Sequence, residues 1–409
     1  SYHPRHVMSR VEETAMNAAQ KDYLGLYSPY SHDVHDDPYP YYKSLRDNAP
    51  VHYDKDGDFY ILSRFDDVQM AMRDFKRFSS EEGVALEADA AKGYPMVITM
   101  VPPKHTRTRK VISRVLTPDS VAALEPMTRA KTIKLLEPFR DTGCMDTVAN
   151  FGAYLPMYVI GTMLKIPESD HDQIRVWTDN LLEREDGVMA MPPIVAESYL
   201  NMAQYFEDFV KEREQHMETG DLLSLILEAK RSGEITHEDV IGFLMILGIA
   251  GNETTTKLIG NMTVTLARQT AARAQCVADP SLIAKAVEET MRMEGSTQLI
   301  GRVTTEEVTL HGVTIPAGKR VGMLLVSANR DERHYENPEV FDLARNNRDH
   351  MGFGFGIHSC VGAAMARMEG RVAFEEILKM MPNYEVEWSG LQRMHSANVR
   401  GYTHVPVKF

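Results

Sequence analysis

The stretch "FGFGIHSCVG", residues 353 to 362, sets three glycines and a histidine around Cys360, one of only three cysteines in the chain. A cysteine in a reduced protein is usually a buried, inert side chain. Here Gly354, Gly356 and Gly362 let the backbone bend tightly and approach another group closely. The following "GAAMARMEGRVAFEEILKMM" reads as a helix and places Cys360 at its amino end, where the helix dipole and free N–H groups favour a thiolate. A thiolate is a nucleophile or a metal ligand. As a nucleophile it would take His358 or a distant histidine as base, and a spacing of two residues suits that poorly.

Working outward, composition narrows the options. The 409 residues are 43% hydrophobic and 25% charged, enough for a sizeable core, and no linker, repeat or low-complexity tract divides them. One domain, residues 1–409, is expected. A net charge of -13 argues against nucleic-acid binding except at a local basic patch. Cys144, Cys276 and Cys360 are too scattered for a disulfide framework or a multi-thiolate zinc site, which fits a reducing cytoplasm. The longest apolar run, "VIGFLMILGIA" at 240–250, spans 11 residues, about half of a membrane span. "SYHPRHVMSRVEE" at 1–13 has no signal-peptide core.

Helical periodicity dominates from about 105 to 295, broken at "KIPESD" and "RSGEIT". Strand-like segments lie at about 50–65, 305–325 and 384–409, with "HG" and "PAG" punctuating the second as hairpin turns would. The expected class is therefore mainly α with small β-sheets (α+β). One helix stands out: Thr236 and Asp239 form a capping pair, no proline follows until after Thr270, and the run from Val240 to Ala250 is apolar on every face. Such a helix belongs in the core. Polarity then arrives abruptly as "GNETTT".

The pattern Phe353-Gly-x-Gly-x-His358-x-Cys360-x-Gly362 should arise by chance in fewer than roughly one chain in a million. It resembles the haem-binding signature of the cytochromes P-450, the haem-thiolate monooxygenases. The resemblance extends from about residue 37 to the carboxyl terminus. "EETMR" matches the family's Glu-x-x-Arg as Glu289 and Arg292, with Arg345 of "FDLARNNRDH" completing an ion-pair network. "AGNETT" is similar to the Ala-Gly-x-acid-Thr segment of a long central helix over the haem, "VPPKHTRTR" to a segment with His105 and Arg109 against the haem, and "LIGRVTTEEV" supplies Arg302. Two positions depart from the family pattern: Val101 replaces an aspartate, leaving a cap near the His105 helix in question, and Leu116 replaces a phenylalanine.

The resemblance implies haem b held by Cys360 as the iron ligand, its thiolate favouring O–O cleavage. His105, Arg109, Arg302 and His358 would meet the propionates, since buried carboxylates need such partners. Glu253 and Thr254 would deliver protons for O2 as co-substrate, at a point where Ala250 and Gly251 leave space beside the helix. "TTT" could instead back-bond to helix carbonyls. Electrons would come from NAD(P)H through a reductase and a ferredoxin, or a flavodoxin, steered by the basic patch of Arg107, Lys110 and Arg114. The implied enzyme is a cytoplasmic monomer, without a membrane span, that hydroxylates a small or medium-sized hydrophobic molecule. By family position the cavity is lined from 93–100, 165–205, Leu244, Leu247 and Gly248, 296–301 and 395–398. A cysteine-dependent hydrolase and a ligand-sensing haem-thiolate protein are the alternatives.

Overall fold

Residues 22–87, 93–216 and 219–409 are described by a computed structural model; the amino-terminal 1–13 lies outside them. The first helices are α1 (His32–Asp36), α2 (Tyr39–Asn48) and α3 (Phe65–Arg73), with strands β1 (Val51–Asp54), β2 (Phe59–Leu62) and β3 (Phe78–Ser79) among them. The helical block follows as α4 (Lys104–Val115), α5 (Pro118–Leu136), α6 (Leu155–Leu164), α7 (His171–Leu182), α8 (Pro193–Gln215), α9 (Leu222–Arg231), α10 (His237–Arg268), α11 (Thr270–Ala278) and α12 (Ile283–Met293), interrupted by β4 (Cys144–Asp146). The remainder is β5 (Leu299–Thr304), β6 (Val308–Leu310), β7 (Val313–Ile315), β8 (Arg320–Leu324), α13 (Leu325–Ala328), α14 (Ala363–Met380), β9 (Glu385–Val386), β10 (Gln392–Arg393), β11 (Tyr402–His404) and β12 (Pro406–Lys408).

The long helix forms as its sequence dictates. The Thr236 side chain accepts from the Asp239 amide at 3.2 Å while Asp239 accepts from the Thr236 amide at 3.0 Å, satisfying two free donors of the first turn. From there α10 runs for 32 residues, about 48 Å at 1.5 Å per residue. Val240 to Met245, Leu247 and Gly248 are all buried, so its first half threads the core. Around it pack residues of α6 to α9, α12 and α14, including Ile160, Phe206 and Phe374, in one apolar cluster. Burying each such side chain stabilises the fold by about 1.5–3 kcal/mol.

The strands form a five-stranded sheet of order β1-β2-β8-β5-β3, a three-stranded sheet β4-β12-β9 and two separate pairs, β6-β7 and β10-β11. All pairings are antiparallel except β2 with β8. His311-Gly312 turns the β6-β7 hairpin as expected, but "PAG" does not close a second one. It carries the chain from that hairpin into the five-stranded sheet, where β8 pairs with β5 and β2. A further correction concerns Cys144–Asp146, which lies inside the region read as helical and pairs with the carboxyl-terminal β12. A three-residue strand whose partner lies at the other end of the chain leaves little local signal.

Glu289 and Arg292 are fully buried on the last turns of α12. The guanidinium grips the carboxylate with two bonds of 2.9 and 2.8 Å, and its third nitrogen donates to the Asn329 carbonyl at 2.9 Å. Arg345 adds a bond of 3.2 Å to Glu289, and Asn347 donates to the same carboxylate. The network therefore ties α12 to the loop leading to the cysteine.

Candidate active site

Gly354 and Gly356 both take positive φ, 70° and 71°. A Cβ on Gly356 would meet the Met72 carbonyl oxygen at 2.5 Å, so this turn closes against α3 only with glycine. The Cys360 amide then donates to the Phe353 carbonyl at 2.8 Å. Helix α14 begins at Ala363 with Gly362 as its amino cap, so Cys360 lies just ahead of the first turn. The thiol is enclosed by protein yet accessible, which places it against interior space. Burial raises its pKa, outweighing the Gly362 amide and the Arg109 and Arg367 charges that lower it. Helix position alone does not make a thiolate here. A bound metal cation would, because coordination deprotonates a thiol outright.

Two guanidiniums and two imidazoles converge beside this loop. Arg109, on α4, donates to the Ser359 carbonyl at 2.5 Å. His105, one turn earlier, is buried and packs edge-on against His358 with 4.7 Å between ring centroids. His358 meets Ser80 Oγ at 3.2 Å, and Arg302 on β5 is 2 % exposed and donates to its neighbour's carbonyl, Gly301, at 2.7 Å. Burial lowers the Arg302 pKa to about 10. Burial and the charges of Arg302, His105 and Arg109 lower His358 to about 3. Among the described residues no carboxylate pairs with any of the four, and the buried His105 Nε2 has no partner. A buried guanidinium without a carboxylate is costly, as is a buried ring nitrogen without a hydrogen-bond partner, and a dianionic group offered to this cluster would relieve both costs. The set therefore fits a haem with two propionates and an iron facing Cys360. The absent aspartate at Val101 also has its expected consequence: α4 starts without a side-chain cap.

A cleft of about 1060 Å³ opens along α10, lined by Ile246, Ile249, Ala250, Glu253 and Thr254. These positions share one helix face. Leu244, Leu247 and Gly248, expected there, point into the core instead; Gly248 abuts Met202. Gly251 likewise makes no room for a ligand, since a Cβ on it would meet Ile160 Cδ1 at 2.1 Å. It lets α6 approach closely. The other expected walls are present: residues 93–96, 98 and 99, several of 181–204, Thr297, Leu299, Ile300 and Asn398. At one rim Tyr94 Oη donates to Glu207 Oε1 at 2.7 Å and His237 meets Glu207 Oε2 at 2.7 Å, joining the 93–99 loop to α8 and α10.

Thr254 faces the cleft and donates to the Ala250 carbonyl at 2.6 Å, the back-bonding alternative for "TTT". Its oxygen can still accept. Glu253 is buried and ion-paired to Lys257 at 3.0 Å, with Asn252 Nδ2 donating to it at 3.2 Å. Sequence reading missed Lys257, although the i, i+4 spacing signals it, and it missed Asp179 of α7, which hydrogen-bonds Glu253 from another helix. Burial, then the Glu253 charge, raises the Asp179 carboxyl to about 7. Arg175 Nη1 donates to its outer side at 3.3 Å, and the Asp179 side chain is 36% exposed. A chain of acidic groups thus leads from solvent to the cleft.

A long buried helix flanking an apolar cleft, with a glycine-bent cysteine loop beside guanidiniums and imidazoles that lack carboxylate partners among the described residues, defines a haem-thiolate type of protein. The Cytochrome P450 family model matches residues 195–398. Putative cytochrome P450 123 of Mycobacterium tuberculosis is 36% identical over 385 residues, covering 93% of this chain and 96% of the relative. Cytochrome P450 109 of Bacillus spizizenii is 35% identical, covering 91% of each chain. The crystal structure of CYP109E1 from Bacillus megaterium in complex with testosterone superposes with a TM-score of 0.84 at 28% identity, covering 93% of this chain and 99% of that one. This chain belongs to the cytochrome P450 family, haem-binding monooxygenases, and a cysteine hydrolase is thereby set aside. Among the described residues no helix is long and apolar enough to cross a membrane.

Proposed function

We propose that the protein is a single-domain monooxygenase that hydroxylates a medium-sized hydrophobic molecule, using O2 and electrons from NAD(P)H passed through a ferredoxin. The observation that carries this reading is the gathering of Arg109, Arg302, His105 and His358 beside the Cys360 loop, with no carboxylate partner among the described residues, in a molecule whose long helix flanks an apolar cleft. Haem b, bound through Cys360, would supply the reductive activation of dioxygen. His105, Arg109, Arg302 and His358 would hold its propionates. The cleft's volume suits a steroid-sized or fatty-acyl-sized molecule, and the similar CYP109E1 was solved with testosterone and with corticosterone. A ferredoxin would approach the cysteine side, where Arg73, Arg107 and Lys110 are exposed and Arg367 is paired with Glu288. Arg114 contributes less than expected, because Glu234 pairs with it.

The remaining chemistry is proton delivery. Burial and the Glu253 charge let Asp179 keep its proton near neutral pH, against the opposing charge of Lys257, and Asp179 would pass it inward to Glu253, and Glu253 to the Thr254 hydroxyl in the cleft. Thr254→Ala should retain haem content and substrate-induced spectral shifts. In a reconstituted electron-transfer chain it should consume NAD(P)H while hydrogen peroxide replaces hydroxylated product. A loss of product of up to about 10²-fold to 10⁴-fold fits general acid–base contributions. Product per reductant equal to wild type in both Thr254→Ala and Glu253→Gln would leave these residues as helix structure only.

The Asp179 link makes a pH prediction. A carboxyl raised to about 7 donates below that pH and loses its proton above it, so wild-type coupling should decline as pH rises through 7. Asp179→Asn should start lower and show no such decline. An identical pH profile in the variant would remove Asp179 from the path.

A further inference from the structure

Away from the cleft, His32 and His35 of α1 and His395 of the loop between β10 and β11 bring three imidazoles together, one ring nitrogen from each within 4.8 Å of the others. Among the described residues this is the one such cluster of potential metal-binding side chains. It lies where three distant segments meet. The Arg184 amide donates to the His395 carbonyl at 2.9 Å, the Gly187 amide to the Tyr30 carbonyl at 2.9 Å, and the His32 amide to Asp186 Oδ1 at 2.8 Å.

The hydrogen bonds decide which nitrogens are available. His32 Nε2 meets the Arg184 carbonyl at 3.1 Å and His35 Nε2 meets the Pro29 carbonyl at 2.8 Å. A carbonyl only accepts, so in both rings Nε2 carries the proton and Nδ1 presents its lone pair. Metal-binding histidines are held in this way, by a carbonyl on the opposite nitrogen. His35 is 2 % exposed, and its Nδ1 is buried without a hydrogen-bond partner, as is Nδ1 of His395. A buried ring nitrogen left unpaired is costly, and two occur in one cluster. Asp36 and Asp186 stand close enough to act on the rings electrostatically.

We propose that His32, His35 and His395 bind a divalent transition-metal ion of the zinc class, at a site separate from that of the haem. Imidazole nitrogens select zinc, copper or nickel over calcium or magnesium, and metal–nitrogen bonds of about 2.0–2.1 Å require the three nitrogens to draw together slightly. His32 and His395 stack face to face, 3.7 Å between centroids at 12°. A lone pair lies in its ring plane, so one of these rings must turn to share the ion. His395, partly exposed and without a ring hydrogen bond, is the one that turns. The bound ion would staple α1 and the carboxyl-terminal loop across the segment that leaves α7, whose Leu181, Leu182 and Arg184 line the cleft.

The test uses the haem-loaded protein, stripped of adventitious metal with EDTA, desalted and titrated calorimetrically with ZnCl2; bound zinc is counted by elemental analysis after dialysis. Wild type should bind one tight equivalent and melt at a higher temperature with Zn²⁺ than in EDTA. His32→Gln and His395→Ala, each with a normal carbon monoxide spectrum, should bind that equivalent at least tenfold more weakly and lose the thermal shift. His35→Asn serves as a third variant if either of these fails to load haem. No saturable binding by wild type, or an equivalent that survives either substitution unchanged, would overturn the site.

Discussion

Cys360→Ser protein should lack the thiolate-type carbon monoxide difference spectrum of the reduced wild type, whereas Cys144→Ser and Cys276→Ser should keep it. The three thiols differ in setting. Cys144 is exposed on β4, and Cys276 is buried in α11 with its pKa raised by burial to about 11. Cys360 alone stands on a glycine-bent loop within the charge of Arg109 and Arg367, against interior space. A serine hydroxyl keeps the size of the side chain but has no comparable tendency to ionise and offers a metal a harder, weaker ligand. The loop should persist in the variant, since its closing bond runs from the backbone amide of residue 360 to Phe353. Loss of the spectrum would therefore report ligation rather than unfolding. An unchanged spectrum in Cys360→Ser would end the haem-thiolate assignment of this residue.

Arg292→Ala should fail to accumulate as soluble haem protein. Glu289 is 0 % exposed, and removing its bidentate partner leaves a carboxylate deep in the core together with the unpaired Asn329 carbonyl. Breaking a buried pair in this way costs about 3–5 kcal/mol, a large share of the roughly 5–15 kcal/mol that separates folded from unfolded protein. Arg345 and Asn347 also reach Glu289, but neither reproduces the two-bond grip. Arg292→Lys retains the charge without the fork and should recover only part of the yield. Cell lysates compared by haem absorbance and by thermal melts of any soluble fraction would decide the matter. Stable, fully loaded Arg292→Ala would show that the network is dispensable.

The two substitutions probe parts of the molecule that were legible to different degrees. The cysteine loop, the Glu289–Arg292 spacing and the Thr236–Asp239 cap are local patterns, in which the residues that meet lie within a few positions of one another. Helix α10 was legible for the same reason: an uninterrupted apolar run leaves a helix nowhere to go but the core. The face it turns to the cleft was not legible. With Val240 to Ala250 apolar all round, no polar stripe marks one side, and the choice of Ile246, Ile249 and Ala250 over Leu244 and Leu247 belongs to the packing of Met202 and Ile160 on the opposite side.

What the sequence determined by itself was therefore the class of fold, through periodicity, and the family, through the resemblance of its short motifs. Tertiary structure alone decided how the candidate site residues are partnered. It brought Arg302 from β5 and Arg109 from α4 to His358, set Asp179 of α7 against Glu253 of α10, and joined β4 to β12. It also raised the Cys360 pKa against the helix-terminus expectation, since burial outweighed the nearby amide and guanidinium charges. Local propensity and spacing act through neighbours along the chain. Desolvation and ion pairing depend on which distant segments the core draws together.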